Sequence, residues 1–175
     1  MAVEDSVETY VKAGNKLGKD YVAGFICICN FLRAIKCGVS CRIVTTSVAE
    51  HHLKVLWAEI TRFIRECRVP LLAKDGGPLA INHLEIRRAS EMSLKNPGSY
   101  LVGRVSKAGE GLAGHHAEYT LAVGDESSGL SPVAYDMFQG WAKRALFFGN
   151  PNSVPKTHFW RAGLEAGDLL AKGAA

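Results

Sequence analysis

Apolar positions along the chain come in two kinds of run: short β-branched stretches and longer stretches with helical spacing. Residues 9–12 predict a short strand entering a turn at 14–18, and residues from Lys19 to about Lys36 predict a helix. Val22, Ala23, Phe25, Ile26, Cys29, Leu32 and Ile35 leave that helix apolar on most faces, which predicts burial all round. Gly38 stops it. Residues 42–46 predict a strand. Ser47 then caps a helix over about 49–67, where Leu53, Leu56, Trp57, Ile60, Phe63 and Ile64 form a one-sided stripe.

Pro70 to Pro78 is a turn-rich break. Residues 81–87 and 100–105 predict two strands around a polar loop at 90–99, with Gly103 weakening the second. Residues 106–118, rich in Gly and His, read as a loop, and 119–123 as a strand ending in Asp125–Glu126. Ser131 and Pro132 open a short helix to Gln139. Residues 145–148 form a strand ending in Gly149–Asn150–Pro151, and the tail from Thr157 reads as a weak helix. Strands alternating with helices predict an α/β fold, a three-layer sandwich around a mostly parallel sheet. In such sheets ligands bind beyond the carboxyl ends of the strands. The unusual polar clusters Gly14–Asp20, Asp125–Glu126 and Gly149–Asn152 all fall just past predicted strand ends.

The length of 175 residues predicts one domain over 1–175. Apolar residues at 47% and charged residues at 22% exclude a disordered or collagen-like chain. A net charge of +4 permits a polyanionic partner without requiring one. The longest apolar stretch, 21–32, is interrupted by Gly24 and Asn30 and is too short to span a bilayer. The acidic start lacks the build of a signal peptide. Neither a membrane association nor secretion is expected. The five cysteines form no CxxC pair and read as buried reduced thiols.

A phosphate-binding loop needs a strand, a glycine-containing turn and a helix N-terminus, with a lysine there to reach the terminal phosphates. Gly14–Asn15–Lys16–Leu17–Gly18–Lys19–Asp20 has that layout. It departs from G-x-x-x-x-G-K-[ST] at Ala13, where the first glycine is usual, and at Asp20, where a hydroxyl would hold Mg²⁺. The same residues also fit a plain strand-to-helix turn, with Asp20 a first-turn acid favourable to the helix dipole.

Residues 121–126 are an apolar strand ending in two acids, the pattern of nucleotide hydrolases in which the Asp, here Asp125, binds Mg²⁺ and the Glu, here Glu126, polarises an attacking water; a common exposed pair of strand-end acids accounts for the same residues. Adjacent strand residues point to opposite faces, so both roles need a turn at Asp125, which Ser127–Ser128–Gly129 permits. Loop and acids lie about 105 residues apart. Asn150 follows the next strand and is placed to sense a γ-phosphate or the water; a plain turn accounts for the same four residues.

These pieces in this order resemble the ATPase domain of the large terminase subunit, the DNA-packaging motor of tailed bacteriophages. The resemblance runs from about Val11 to Leu169. It is carried by the deviant Walker A at 14–20, the strand and helix at 43–57, the small residues 111–116, the Walker B at 121–129 and the coupling-like segment Phe147–Phe148–Gly149–Asn150–Pro151–Asn152. It implies a P-loop NTPase fold and hydrolysis of ATP with Mg²⁺. Residues Gly14, Asn15, Lys16, Leu17, Gly18, Lys19 and Asp20 would hold the nucleotide, Asp125 and Asp20 the metal. Lys19 and Glu126 would be catalytic, and Asn150 would couple hydrolysis to motion. The implied partners are double-stranded DNA, a portal protein, the small terminase subunit and further copies of the chain in a ring, in the cytoplasm of an infected bacterium.

Three departures qualify it. Asp20 replaces the hydroxyl. Asn15–Lys16 occupy the stretch where an arginine is common, so that Lys16 substitutes or a neighbouring subunit supplies the cation. The adenine-contacting segment and a C-terminal nuclease domain are absent from the chain, which therefore reads as a fragment without nuclease activity. Two alternatives stay open: a nucleotide- or DNA-binding module without turnover, and a helicase-like P-loop ATPase.

Among other candidates, His115–His116 read as loop polar contacts and His51–His52 as surface. Lys54, Arg62, Arg65 and Arg68 read as a solvated helix face. Arg87, Arg88, Lys95, Arg104 and Lys107 flank the polar loop and are the better DNA-contact guess. Trp141, Phe147 and Phe148 read as core, and Phe159 and Trp160 as core or a packing edge.

Overall fold

A computed structural model of the chain describes residues 7–14, 17–91, 93–95, 97–105, 111–150 and 158–159. Strands β1 (Val7–Lys12), β2 (Cys41–Ser47), β3 (Leu79–Asn82), β4 (Glu85–Arg88), β5 (Tyr100–Val105), β6 (Tyr119–Gly124) and β7 (Arg144–Gly149) form one sheet in the order β1-β7-β6-β2-β5-β4-β3. The run β1-β7-β6-β2-β5 is parallel; β4 and β3 are antiparallel additions at one edge. Helices α1 (Lys19–Cys37) and α2 (Glu50–Glu66) cover one face and α3 (Pro132–Gln139) part of the other. This is the expected three-layer α/β sandwich.

The two cores follow from strand alternation. Ile43, Leu101, Leu121, Val123 and Phe148 point to α1 and α2, whereas Val44, Val102, Ala122, Ala145 and Phe147 point to α3. Trp141, Phe147, Phe148 and Phe159 are buried, as core residues should be; Trp160 lies outside the described residues. The α2 stripe buries Leu53, Leu56, Trp57, Ile60 and Ile64 as its spacing requires, with Phe63 half-buried. Its other side is a solvated face, on which Lys54 pairs with Glu50 at 2.8 Å and Arg62 with Glu59 at 2.9 Å. Where α1 crosses α2, Gly24 leaves the room: a Cβ there would stand 3.3 Å from both Glu59 Cβ and the Ile60 backbone nitrogen.

Several expectations are corrected. Helix α1 is not buried all round; α2 and the sheet cover one side, and Tyr21, Val22 and Phe25 remain about half exposed among the described residues. Ser47 does not cap α2. It is the buried last residue of β2, and Ala49 occupies the cap position without a side-chain bond. Residues 81–87 are not one strand but the β3–β4 hairpin, turned by His83 at φ 51°. Only Cys27 and Cys41 are buried, with burial pushing both thiols up to about 12; Cys29, Cys37 and Cys67 are exposed, and all five are free.

Gly103 belongs in its strand because Trp57 lies over it. A Cβ at Gly103 would sit 2.6 Å from Trp57 Nε1. That indole N–H donates to Thr45 Oγ1 at 2.9 Å, and the Thr45 hydroxyl donates to the Val102 carbonyl at 3.3 Å. Among the described residues no helix is long and apolar enough to cross a membrane.

Candidate functional site

The parallel strands end at one edge of the sheet, and the described residues of the predicted polar clusters gather there; Pro151 and Asn152 lie outside the described residues. Lys12 at the end of β1 pairs with Gly149 at the end of β7, and the Ala13 N–H continues the ladder to the Gly149 carbonyl at 3.0 Å. On the other side of β7, Gly124 at the end of β6 pairs with Phe147. Strand β7 therefore separates the loop-bearing strand from the acid-bearing one, and Asn150 follows directly from it.

Between β1 and α1, Gly14, Leu17 and Gly18 are described, whereas Asn15 and Lys16 lie outside the described residues. Gly18 takes the N-cap position at φ 76°, a left-handed conformation suited to glycine. The first intrahelical bond runs from the Val22 N–H to the Gly18 carbonyl at 3.1 Å, and no side chain caps the helix. The N–H groups of Lys19, Asp20 and Tyr21 thus precede the helical ladder, at the positive end of the dipole of a 19-residue helix. Leu17 is 72% exposed beside them.

From the first position of α1, Lys19 reaches across β7 to β6. Strands two places apart in a sheet are about 10 Å apart, within reach of a lysine on a helix above the strand ends. Lys19 Nζ donates to Asp125 Oδ1 at 2.9 Å and makes a second, short contact with Glu126 Oε1. The Lys19 and Asp125 side chains are 9% and 4% exposed, Glu126 23%.

The turn required to bring both acids to one cation is present. Glu126 has φ 49° and ψ 41°, and a single 3-10 turn follows at Ser127–Gly129. The Ser127 hydroxyl donates to the Gly124 carbonyl at 2.8 Å, and the Tyr135 hydroxyl of α3 donates to the Ser127 carbonyl at 2.5 Å. Gly124 is required: a Cβ there would meet Ser127 Oγ at 2.5 Å and Phe147 Cδ1 at 2.8 Å. At Gly149 a Cβ would meet the Phe159 ring at 2.8 Å and the Ser128 backbone nitrogen at 3.1 Å, so the end of β7 is pressed against the turn that carries the acids.

Burial works against the charge of Lys19, but the hydrogen bonds and charges of Glu126 and Asp125 outweigh it and hold the ammonium above the ordinary lysine value. Burial pushes Asp125 above the usual carboxylate range; Lys19 pulls it down, and the nearby charges of Asp20 and Glu126 push it further up. Three carboxylates and one ammonium around a helix N-terminus leave excess negative charge that a cation would relieve. The donors are all hard oxygens, the set that suits Mg²⁺. At the end of β2, beside the Asp125 N–H bond to the Thr46 carbonyl at 2.9 Å, the hydroxyls of Thr46 and Ser47 are buried and have no partner. In the sequence, a run of hydroxyls at a strand end is the one signal that marks these two. Among the described residues no three acidic, histidine or cysteine side chains gather closely enough to hold a metal by themselves; Asp125 and the neighbouring hydroxyls are of the type that suits Mg²⁺, whose remaining ligands would come from a bound phosphate and water.

Elsewhere, the loop-contact reading of His115 holds: it meets the Tyr100 hydroxyl at 2.5 Å and the Gly111 carbonyl at 2.9 Å. The DNA-contact group divides. Arg87 and Arg88 point to opposite faces, Arg88 reaching Ile35 of α1 at 3.4 Å, and Lys107 lies outside the described residues.

No protein-family model matches the chain, and no curated protein matches it in sequence. Among solved structures it is similar to the large terminase ATPase domain of Thermus phage P74-26, in an arginine-to-alanine mutant, with a TM-score of 0.56 at 14% identity. The match covers 89% of this chain and 62% of that one, so the chain spans less than two thirds of that structure. Likeness at this identity shows a shared fold.

Proposed function

We propose that the chain is an ATP-hydrolysing P-loop domain. The carrying observation is the meeting of Lys19 with Asp125 and Glu126 over the N-terminus of α1. In this reading Lys19 leaves the two carboxylates and takes the β- and γ-phosphates of ATP. Gly14 to Asp20 wrap them, with Gly18 and the first N–H groups of α1 as donors. Asp125, with Asp20 beside it, holds Mg²⁺, which supplies neutralisation of the charge that builds on the transferred phosphoryl group. Glu126, freed from Lys19, orients a water and accepts its proton. Asn150, at the end of the intervening strand, carries the state of the site into β7 and the turn packed against it.

The finer reading is a DNA-packaging motor domain that moves double-stranded DNA into a procapsid, working in a ring with a portal protein and a small terminase subunit. Its support is the order of the motif-like segments and the fold shared with the terminase ATPase domain. One observation favours a second reading, a nucleotide-binding module without turnover: Asp20 stands where a hydroxyl would reach the metal.

The test is Mg²⁺-dependent phosphate release, with and without duplex DNA, alongside binding of a fluorescent ATP analogue. Wild type should turn over, and Glu126→Gln should bind the analogue and release no phosphate. Binding without turnover in wild type selects the second reading. Absence of binding in both removes the proposal.

A further inference from the structure

The face of the sheet that α3 only partly covers carries a second polar site, away from the strand ends that hold Lys19. There a cavity of about 250 Å³ is lined by Arg42, Arg87, Lys95, Tyr100, Arg104 and His115. Register explains the gathering. Arg42 on β2 pairs with Tyr100 on β5, and Tyr100 pairs with Arg87 on β4, so the three form one row across the sheet. Arg104 lies further along β5, two pairs of alternating positions from Tyr100 on the same face.

Four permanent cations line the cavity against one carboxylate, Glu85, which is engaged by Arg87 at 2.6 Å. The Arg42 guanidinium stacks over the Tyr100 ring at 5.2 Å, and its Nε is shielded from solvent with no hydrogen-bond partner. A desolvated N–H without an acceptor costs stability until an acceptor arrives. Arg104 is exposed and donates a long bond, 3.4 Å, to the Gly103 carbonyl. Burial lowers the pKa of His115, with the Gly111 carbonyl opposing and the charges of Arg42 and Arg104 adding to the fall, so the imidazole adds no charge near neutrality.

We infer that this cavity binds the phosphate backbone of a nucleic-acid duplex. The row from Arg42 to Arg87 spans two strand spacings, about 10 Å, which suits a repeating anion better than one small one. A duplex rather than a single strand is favoured because Tyr100 already carries Arg42 over its ring and packs against His115, contacts with which a stacking base would have to compete. The contacts are to phosphate, hence independent of sequence. This deepens the DNA side of the proposed function but does not depend on ATP turnover.

The test is binding of a labelled DNA duplex of about 30 base pairs to the full chain without nucleotide, over about 50–200 mM salt. Arg42→Gln/Arg104→Gln should weaken binding and flatten the log–log salt slope by about 2, roughly 0.9 for each lost phosphate contact. Arg104→Gln alone, on an exposed side chain, should flatten it by about 1 and guards against misfolding of the double variant. Lys54→Gln on the solvated face of α2 should leave the slope unchanged. The inference is overturned if wild type does not bind the duplex, if the double variant keeps the wild-type slope, or if equal charge as poly-glutamate or inorganic phosphate displaces the duplex as well as unlabelled duplex does. ATP turnover without DNA, read on Arg104→Gln, should match wild type. A chain that shows the expected slopes yet never turns over ATP keeps this inference and loses the proposed function.

Discussion

The ammonium of Lys19 lies 2.9 Å from Asp125 Oδ1, joining two segments 106 residues apart across an intervening strand. Under the proposed function, a terminal phosphate would take the place of Asp125 and Glu126 at this ammonium. The ammonium neutralises a carboxylate that burial would otherwise leave uncompensated.

Lys19→Met should therefore destabilise the fold by about 3 kcal/mol, the scale for removing one partner of a buried pair, measured by urea unfolding at neutral pH. The pH dependence has a definite sign. The folded pKa of Lys19 lies above its ordinary 10.5, so its contribution is complete below about that pH and is lost as pH rises through the raised value. From neutrality upward, the gap between wild type and variant should close only on the alkaline side of 10.5; in acid it closes again as the carboxylates of Asp125 and Glu126 take up protons. A gap that closes near neutrality would contradict the pairing.

Gly124→Ala should disturb the acids through packing alone, because its methyl would overlap Ser127 Oγ and Phe147. Overpacking of this kind costs about 1–3 kcal/mol. If Glu126 is the catalytic carboxylate, phosphate release should fall with nucleotide binding largely kept. Thermal melts and single-turnover assays separate the two effects.

Gly103→Ala should cost about 1–3 kcal/mol by the same mechanism, since its methyl meets Trp57 Nε1. The partner is identifiable by a double-mutant cycle. Trp57→Phe removes the indole nitrogen, so the second substitution should cost clearly less in that background than in wild type. Strict additivity would mean that the crowding lies elsewhere.

His115 gives the acid-side prediction. Its folded pKa lies below the ordinary 6.5, mainly through burial, so the unfolded chain binds the proton more readily. Its contribution should be intact above about 6.5 and decline as pH falls through the lowered value. Urea midpoints from pH 7 to 5 should drop more steeply for wild type than for His115→Asn, and parallel curves would refute the assignment.

Much of this molecule is readable from local order. The α2 stripe from Leu53 to Ile64, the stop at Gly38, and Ser131 followed by Pro132 at the start of α3 all act within a turn or two of chain, and the structure reproduces them. The positions of Lys19 after a glycine turn and of Asp125–Glu126 after an apolar strand are equally local, which is why the candidate site could be named in advance. The β3–β4 hairpin escaped because its left-handed turn position is taken by His83, not by glycine or asparagine; Asn82 stands one residue earlier, at the end of β3.

Amino-acid order alone determined the element types, the apolar faces and the placing of polar clusters at strand ends, because helix and strand periods and caps are short-range effects. Strand order and register were decided only by tertiary packing. That is why Lys19 spans β7 to meet both acids, why one side of α1 stays open, and why Arg42, Tyr100 and Arg87 form a row although no spacing along the chain relates them. Such neighbours are set by which faces bury together, and burial is a property of the whole fold.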